Sequence, residues 1–74
     1  MGVALAMYMR IADDIAARIT FGDIPPGSVL PNAATLAREY GVSPATATKA
    51  IGMLRKWRMV RADATGMRVL SMHE

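Results

Sequence analysis

Asp13 and Asp14 are the first residues whose types suggest chemistry, because adjacent carboxylates can ligate a divalent cation or divide acid and base work between them. Both fall in a helical pattern, where neighbouring side chains point about 100° apart and converge poorly on one ion or substrate. No histidine or third acid lies nearby, so a solvated helix face is the better reading. His73 is the single histidine, and near the end of the chain it reads as a solvated group. The absence of cysteine removes disulfides and thiolate metal sites. No nucleophile stands beside a base, and there is no ligand cluster or phosphate loop, so the sequence predicts a protein that is not an enzyme and has no cofactor or metal. Charge is more informative. Residues 49–68 hold Lys49, Arg55, Lys56, Arg58, Arg61 and Arg68 against Asp63 alone, whereas residues 1–48 hold three arginines against four acids. A net charge of +3 distributed in this way fits a polyanionic partner, although exposed basic residues also simply solvate a face.

The residues best placed to use that charge lie between Gly41 and Lys56. Gly41 can take the left-handed conformation that ends a helix. Ser43 is a good N-cap, and Pro44 then falls at the first helical position, where a missing N–H costs nothing. Ala47, Ala50, Ile51 and Leu54 repeat at helical spacing as an apolar stripe. The other side carries Ala45, Thr48, Lys49, Gly52, Arg55 and Lys56, slim at its start and basic at its end. A turn followed by such a helix has the form of a recognition helix.

The elements that must position this helix follow from periodicity and punctuation. With 74 residues, the chain reads as one domain with a limited core. A first helix is expected over 5–21, with Tyr8, Ile11, Ile15 and Ile19 as its stripe, joined by Ala12 and Ala16, and with Asp14 and Arg18 as an i,i+4 pair. Asp23 to Gly27 is a turn segment, and Ser28-Val29-Leu30 is short and β-prone. Asn32 is a second N-cap, for a helix over 32–40 that buries Leu36, Ala37 and Tyr40. The recognition helix is expected over 44–57. Met59 to Ala62 and Met67 to Leu70, joined by the turn residues Asp63 to Gly66, predict a hairpin over 59–70 with basic residues on one face. The fold class is therefore mainly α with a small β-hairpin (α+β), a winged helix-turn-helix. No membrane-length run is present, and residues 1–7, though apolar, follow no basic segment, so a cytoplasmic protein is expected.

The order Tyr8…Ile11-Ala12-Asp13-Asp14-Ile15…Gly22-Asp23-Ile24-Pro25-Pro26-Gly27…Leu30-Pro31…Leu36-Ala37-Arg38-Glu39-Tyr40-Gly41-Val42-Ser43…Thr46…Lys49-Ala50-Ile51…Leu54 resembles the DNA-binding domain of GntR-type bacterial transcriptional regulators over residues 8–70. The resemblance implies a winged helix-turn-helix whose second helix, recognition helix and wing contact operator DNA, usually as a dimer on a palindrome. The departures are specific. Where the family usually has an acid and an arginine after the second helix cap, this chain has Ala33 and Ala34. Pro44 and Thr48 replace two further arginines, Trp57-Arg58 stands where a glycine normally ends the recognition helix, and of the wing glycines only Gly66 remains. The family also joins this domain to a larger effector-binding and dimerising domain. The chain is thus read either as a fragment or as a stand-alone regulator, with no small-molecule effector site in these residues.

The expected partner is double-stranded DNA, with a homodimer as the added assembly and the apolar stretch Gly2 to Met7 as the candidate self-association surface. Phosphate contacts are expected from Lys49, Arg55, Lys56, Arg61 and Arg68, with Ser43 and the helix-start amides as neutral donors. Base contacts are expected from Ala45, Thr46, Thr48 and Lys49, since Ala and Thr methyls suit thymine methyl groups and Lys suits guanine acceptors. The function expected is sequence-specific transcriptional regulation of the repressor type. The competing reading is a winged helix that binds protein, favoured by the missing arginines, the seven methionines and Trp57. Trp57 is itself expected to pack over the first helix or the hairpin as part of the core.

Overall fold

The computed structural model describes residues 6–71. Helix α1 spans Met7–Thr20, α2 Ala33–Tyr40 and α3 Pro44–Lys56, followed by strands β1 (Val60–Asp63) and β2 (Gly66–Val69). The beginning of the first expected helix, the stretch up to residue 5 and His73 lie outside the described residues.

Each helix buries most of the stripe its spacing prescribes. Ile11, Ala12, Ile15 and Ile19 of α1, Leu36 and Ala37 of α2, and Ala47, Ala50 and Leu54 of α3 meet in one core. That core also takes in Leu30, Met59, Val60 and Val69. Tyr8, Ala16, Tyr40 and Ile51 are half-buried at its margin. The alanines Ala12, Ala47 and Ala50 are completely buried. Their small side chains leave little depth between the packed helices.

The caps act as their residue types predict. Asn32 Oδ1 accepts the Thr35 N–H at 2.9 Å, and Ser43 Oγ accepts the Thr46 N–H at 3.2 Å. Gly41 ends α2 at φ 69°, ψ 37°, the left-handed pair that costs a glycine least. The tight turn to Ser43 then swings the chain into α3, making α2 and α3 a helix-turn-helix. One further tie joins α1 to α2. The Tyr40 hydroxyl donates to Asp14 Oδ2 at 2.6 Å, and the Arg18 Nε–H donates to the same oxygen at 3.2 Å. Burial, then the hydrogen bond and the negative charge of Asp14, push the Tyr40 phenol up to about 12.

The wing is a hairpin in the register Val60↔Val69, Arg61↔Arg68, Ala62↔Met67 and Asp63↔Gly66. Its outer edge is extended by the 27–30 segment. Val29 bridges Arg68 antiparallel, the Leu30 N–H donates to the Met67 carbonyl, and the Val69 N–H donates to the Ser28 carbonyl, both at 2.8 Å. The β-prone run at Ser28 to Leu30 thus becomes the edge that fixes the wing to the helices. Gly66 is required by this approach: its φ is 133°, and a side-chain carbon there would lie 3.2 Å from Val29 Cγ1.

The end of α3 corrects one expectation. Trp57 continues the spacing of Ala47, Ala50 and Leu54, yet it is 37% exposed and lies outside the core. The helix ends in a Schellman turn. The Met59 N–H donates to the Leu54 carbonyl and the Arg58 N–H to the Arg55 carbonyl, both at 3.0 Å. The turn gives the inward position to Met59 and leaves the indole at the surface.

Candidate nucleic-acid interface

The N-cap hydrogen bond at Ser43 sets which residues α3 presents. Ser43 Oγ also lies 3.0 Å from Thr46 Oγ1, so both hydroxyls are ordered at the helix start. Ala45, Thr48, Lys49, Gly52, Arg55 and Lys56 are all exposed and lie at helical spacing opposite the buried Ala47, Ala50 and Leu54. This face is slim over its first turns, without a side chain larger than threonine before Lys49, and carries two cations at its end. From residue 40 to residue 62 the chain has no carboxylate and five cations. A slim helical face bearing methyl groups and hydroxyls suits the edges of base pairs, and the flanking cations suit a phosphate backbone.

Most of the residues singled out from sequence lie on this surface. Ser43, Ala45, Thr48, Lys49, Arg55 and Lys56 are exposed, and Thr46 is half-buried beneath the cap. Lys49 is not a free tether: its Nζ lies 5.3 Å from the centroid of the Tyr8 ring, a cation–π contact across α1 and α3. Moving it onto a base would give up about 0.5–1 kcal/mol. Arg61 is exposed on β1.

Arg68, expected from the sequence as a phosphate contact, is held as a clamp within the wing. Its Nε–H donates to Asp63 Oδ2 at 2.5 Å, Nη1 to the Gly27 carbonyl at 2.6 Å and Nη2 to Thr65 Oγ1 at 2.7 Å. Three of the five guanidinium N–H groups are thereby committed to holding the hairpin turn against the 27–30 edge. Asp63 also accepts the Thr65 N–H at 2.8 Å and the Thr65 hydroxyl at 2.7 Å. The Arg68 hydrogen bond, followed by those from Thr65, holds the Asp63 carboxyl well below the usual carboxylate range.

Arg58 is a candidate that the sequence does not single out as a contact residue. It is the one non-glycine residue with positive φ among those described, at 61°, and it belongs to the Trp57-Arg58 pair that stands where the resemblance expects glycine. With Arg61 and Arg68 it lines an open hollow at the base of the wing. The substitution of the glycine was visible in the sequence, but the hollow depends on the Schellman turn. Among the described residues no group of three or more His, Cys, Asp or Glu is placed to hold a metal ion, and no helix is long and apolar enough to cross a membrane.

Three helices, a helix-turn-helix and a two-stranded wing define the winged helix-turn-helix class. A model of the family described as bacterial regulatory proteins, gntR family, matches residues 7–69, and the chain belongs to that family. Among solved structures, one described as a candidate GntR-family transcriptional regulator is 33% identical over 89% of this chain and 26% of its own, with a TM-score of 0.83. YtrA from Sulfolobus acidocaldarius, a GntR-family transcription factor, is 30% identical over 96% of this chain and 61% of its own, with a TM-score of 0.86. The AraR DNA-binding domain in complex with operator ORR3 is 28% identical over 93% of this chain and 84% of its own, with a TM-score of 0.83. The chain therefore spans about a quarter of the first relative and about three fifths of the second. Comparison with curated proteins returned no match.

Proposed function

We propose that this chain binds double-stranded DNA with sequence preference and regulates transcription, acting as a repressor by occupying its site. The observation that carries the reading is the exposed face of α3, capped by Ser43, slim through Ala45 and Thr48, and free of carboxylates. Its likeness to the operator-bound AraR domain supports the same reading. In this account Ala45, Thr46, Thr48 and Lys49 meet base edges in the major groove. Arg55, Lys56 and Arg61, together with Ser43 and the Ala45 N–H that the cap leaves open, hold phosphates. Arg68 fixes Asp63 and the 27–30 edge through three of its N–H groups and turns the remaining two toward the phosphate backbone. A single copy spans one half-site, so a homodimer on a palindrome would supply the remaining specificity. The domain works as a binding module in the cytoplasm, without catalysis, cofactor or effector site of its own. The test is repeated selection of bound duplexes from a random-sequence pool. Enrichment of a short motif supports the reading, and a pool that stays flat while protein remains folded contradicts it.

A second reading, a protein-binding winged helix, draws on two exposed aromatics: Phe21 is 82% exposed and Trp57 37%. Under that reading Trp57→Ala would abolish capture of a partner protein and leave duplex binding unchanged.

A further inference from the structure

We infer that the hollow at the base of the wing is a phosphate-oxyanion site, with Arg58 as a binding residue that takes over charge lost from the recognition helix. The inference rests on the DNA-binding reading for its main occupant, a backbone phosphate. The hollow has a volume of about 640 Å³, with Pro26 and Gly27 on one side and Arg58, Arg61 and Arg68 around it. Among the described residues no carboxylate lines it. Arg68 keeps two N–H groups beyond the three that clamp the wing.

Two local costs meet at this place. Arg58 holds φ 61°, a conformation that an L side chain adopts at a penalty and that glycine adopts freely. Arg61 and Arg68 are direct cross-strand partners, and like charges facing each other across a ladder repel. Asp63 offsets this only from the Arg68 side, through its own hydrogen bond with that residue. A bound oxyanion would relieve the repulsion and use the strained position, the pattern expected where local structure serves binding. Charge is also short elsewhere, because Ala34, Pro44 and Thr48 stand where the resemblance expects arginine.

The test compares the 74-residue chain with Arg58→Ala, Arg58→Gly and Arg58→Lys. Each is titrated with a short random-sequence duplex at two salt concentrations, and each is melted with and without inorganic phosphate at constant ionic strength. Loss of one phosphate contact should make the salt slope of Arg58→Ala shallower by about 0.9, so the wild-type advantage shrinks about 3.5-fold between 50 and 200 mM salt. Arg58→Gly should lose the same binding while its Tm rises by about 4–8 °C, since the strain goes with the side chain. Arg58→Lys should retain the wild-type slope. If duplex slopes are equal but inorganic phosphate raises the Tm of wild type and not of Arg58→Ala, the site stands with free phosphate as its occupant. If Arg58→Ala matches wild type in both measurements, the proposal is overturned while DNA binding stands. Wild type with no salt-dependent duplex binding overturns the DNA reading instead, and the phosphate melts then decide the site on their own.

Discussion

Tyr40→Phe isolates the one hydroxyl that ties α1 to α2. It removes the O–H that donates to Asp14 Oδ2 at 2.6 Å and leaves the ring in place. A hydrogen bond to a charged acceptor contributes about 1.5–3 kcal/mol when well shielded. Here the Asp14 side chain is 44% exposed and keeps Arg18 as a donor, so no orphaned charge remains. Solvent screening then brings the expected loss to about 1 kcal/mol. For a chain of this size that is a fall in Tm of about 4–8 °C at neutral pH. The pH dependence has a definite sign. The folded phenol is raised to about 12 from an ordinary value of 10.0, so its contribution is complete below pH 10 and is lost as pH rises through the folded value. Thermal melts of wild type and Tyr40→Phe across that range should converge, and ultraviolet titration should lose its late phenolate phase in the variant. Equal melts at neutral pH, or a gap that stays constant into strong alkali, would refute the reasoning.

Other expectations follow from the same geometry. Leu54→Ala removes a completely buried core side chain and should cost about 2–5 kcal/mol by chemical denaturation. Asp63 is held below the ordinary carboxylate range, so its contribution is present above the unfolded value of about 3.9 and is lost as pH falls through the lower folded one. Asp63→Asn should lack that acid-dependent loss in paired melts. Arg68→Ala should loosen the wing, seen as faster amide exchange at Leu30 and Val69, whose N–H groups pair across the 27–30 edge.

The parts of the fold that repeat locally were legible in the sequence. The stripes of α1 and α3 follow the helical period, Asn32, Gly41 and Ser43 mark helix ends through bonds reaching only three or four residues, and Pro44 does so through its fixed φ. Features that join distant residues were not. Tyr40 and Asp14 are 26 positions apart, and Arg68 reaches the Gly27 carbonyl across 41. No composition or period encodes those pairings, which is why Arg68 reads from sequence as a free cation and proves to be a clamp. Trp57 shows a third limit. Its spacing after Leu54 is right for the core, but the left-handed turn at Arg58 ends the helix there and gives the place to Met59. The candidate contact face was legible because an exposed helical face is the complement of a buried one. Lys49 resting on Tyr8 depends on how two helices cross, which the sequence does not state.

The central claim is that α3 reads bases while the basic flank holds phosphates, and one paired titration tests it most directly. Thr48→Ala and Arg61→Ala are each titrated with an enriched duplex and a scrambled one over a series of salt concentrations. Thr48→Ala should narrow the gap between the two duplexes by about 1–3 kcal/mol and leave the salt slope unchanged. Arg61→Ala should weaken both duplexes alike and make the slope shallower by about one unit. A Thr48→Ala protein with an undiminished preference, alongside an Arg61→Ala protein with the wild-type slope, would contradict the account.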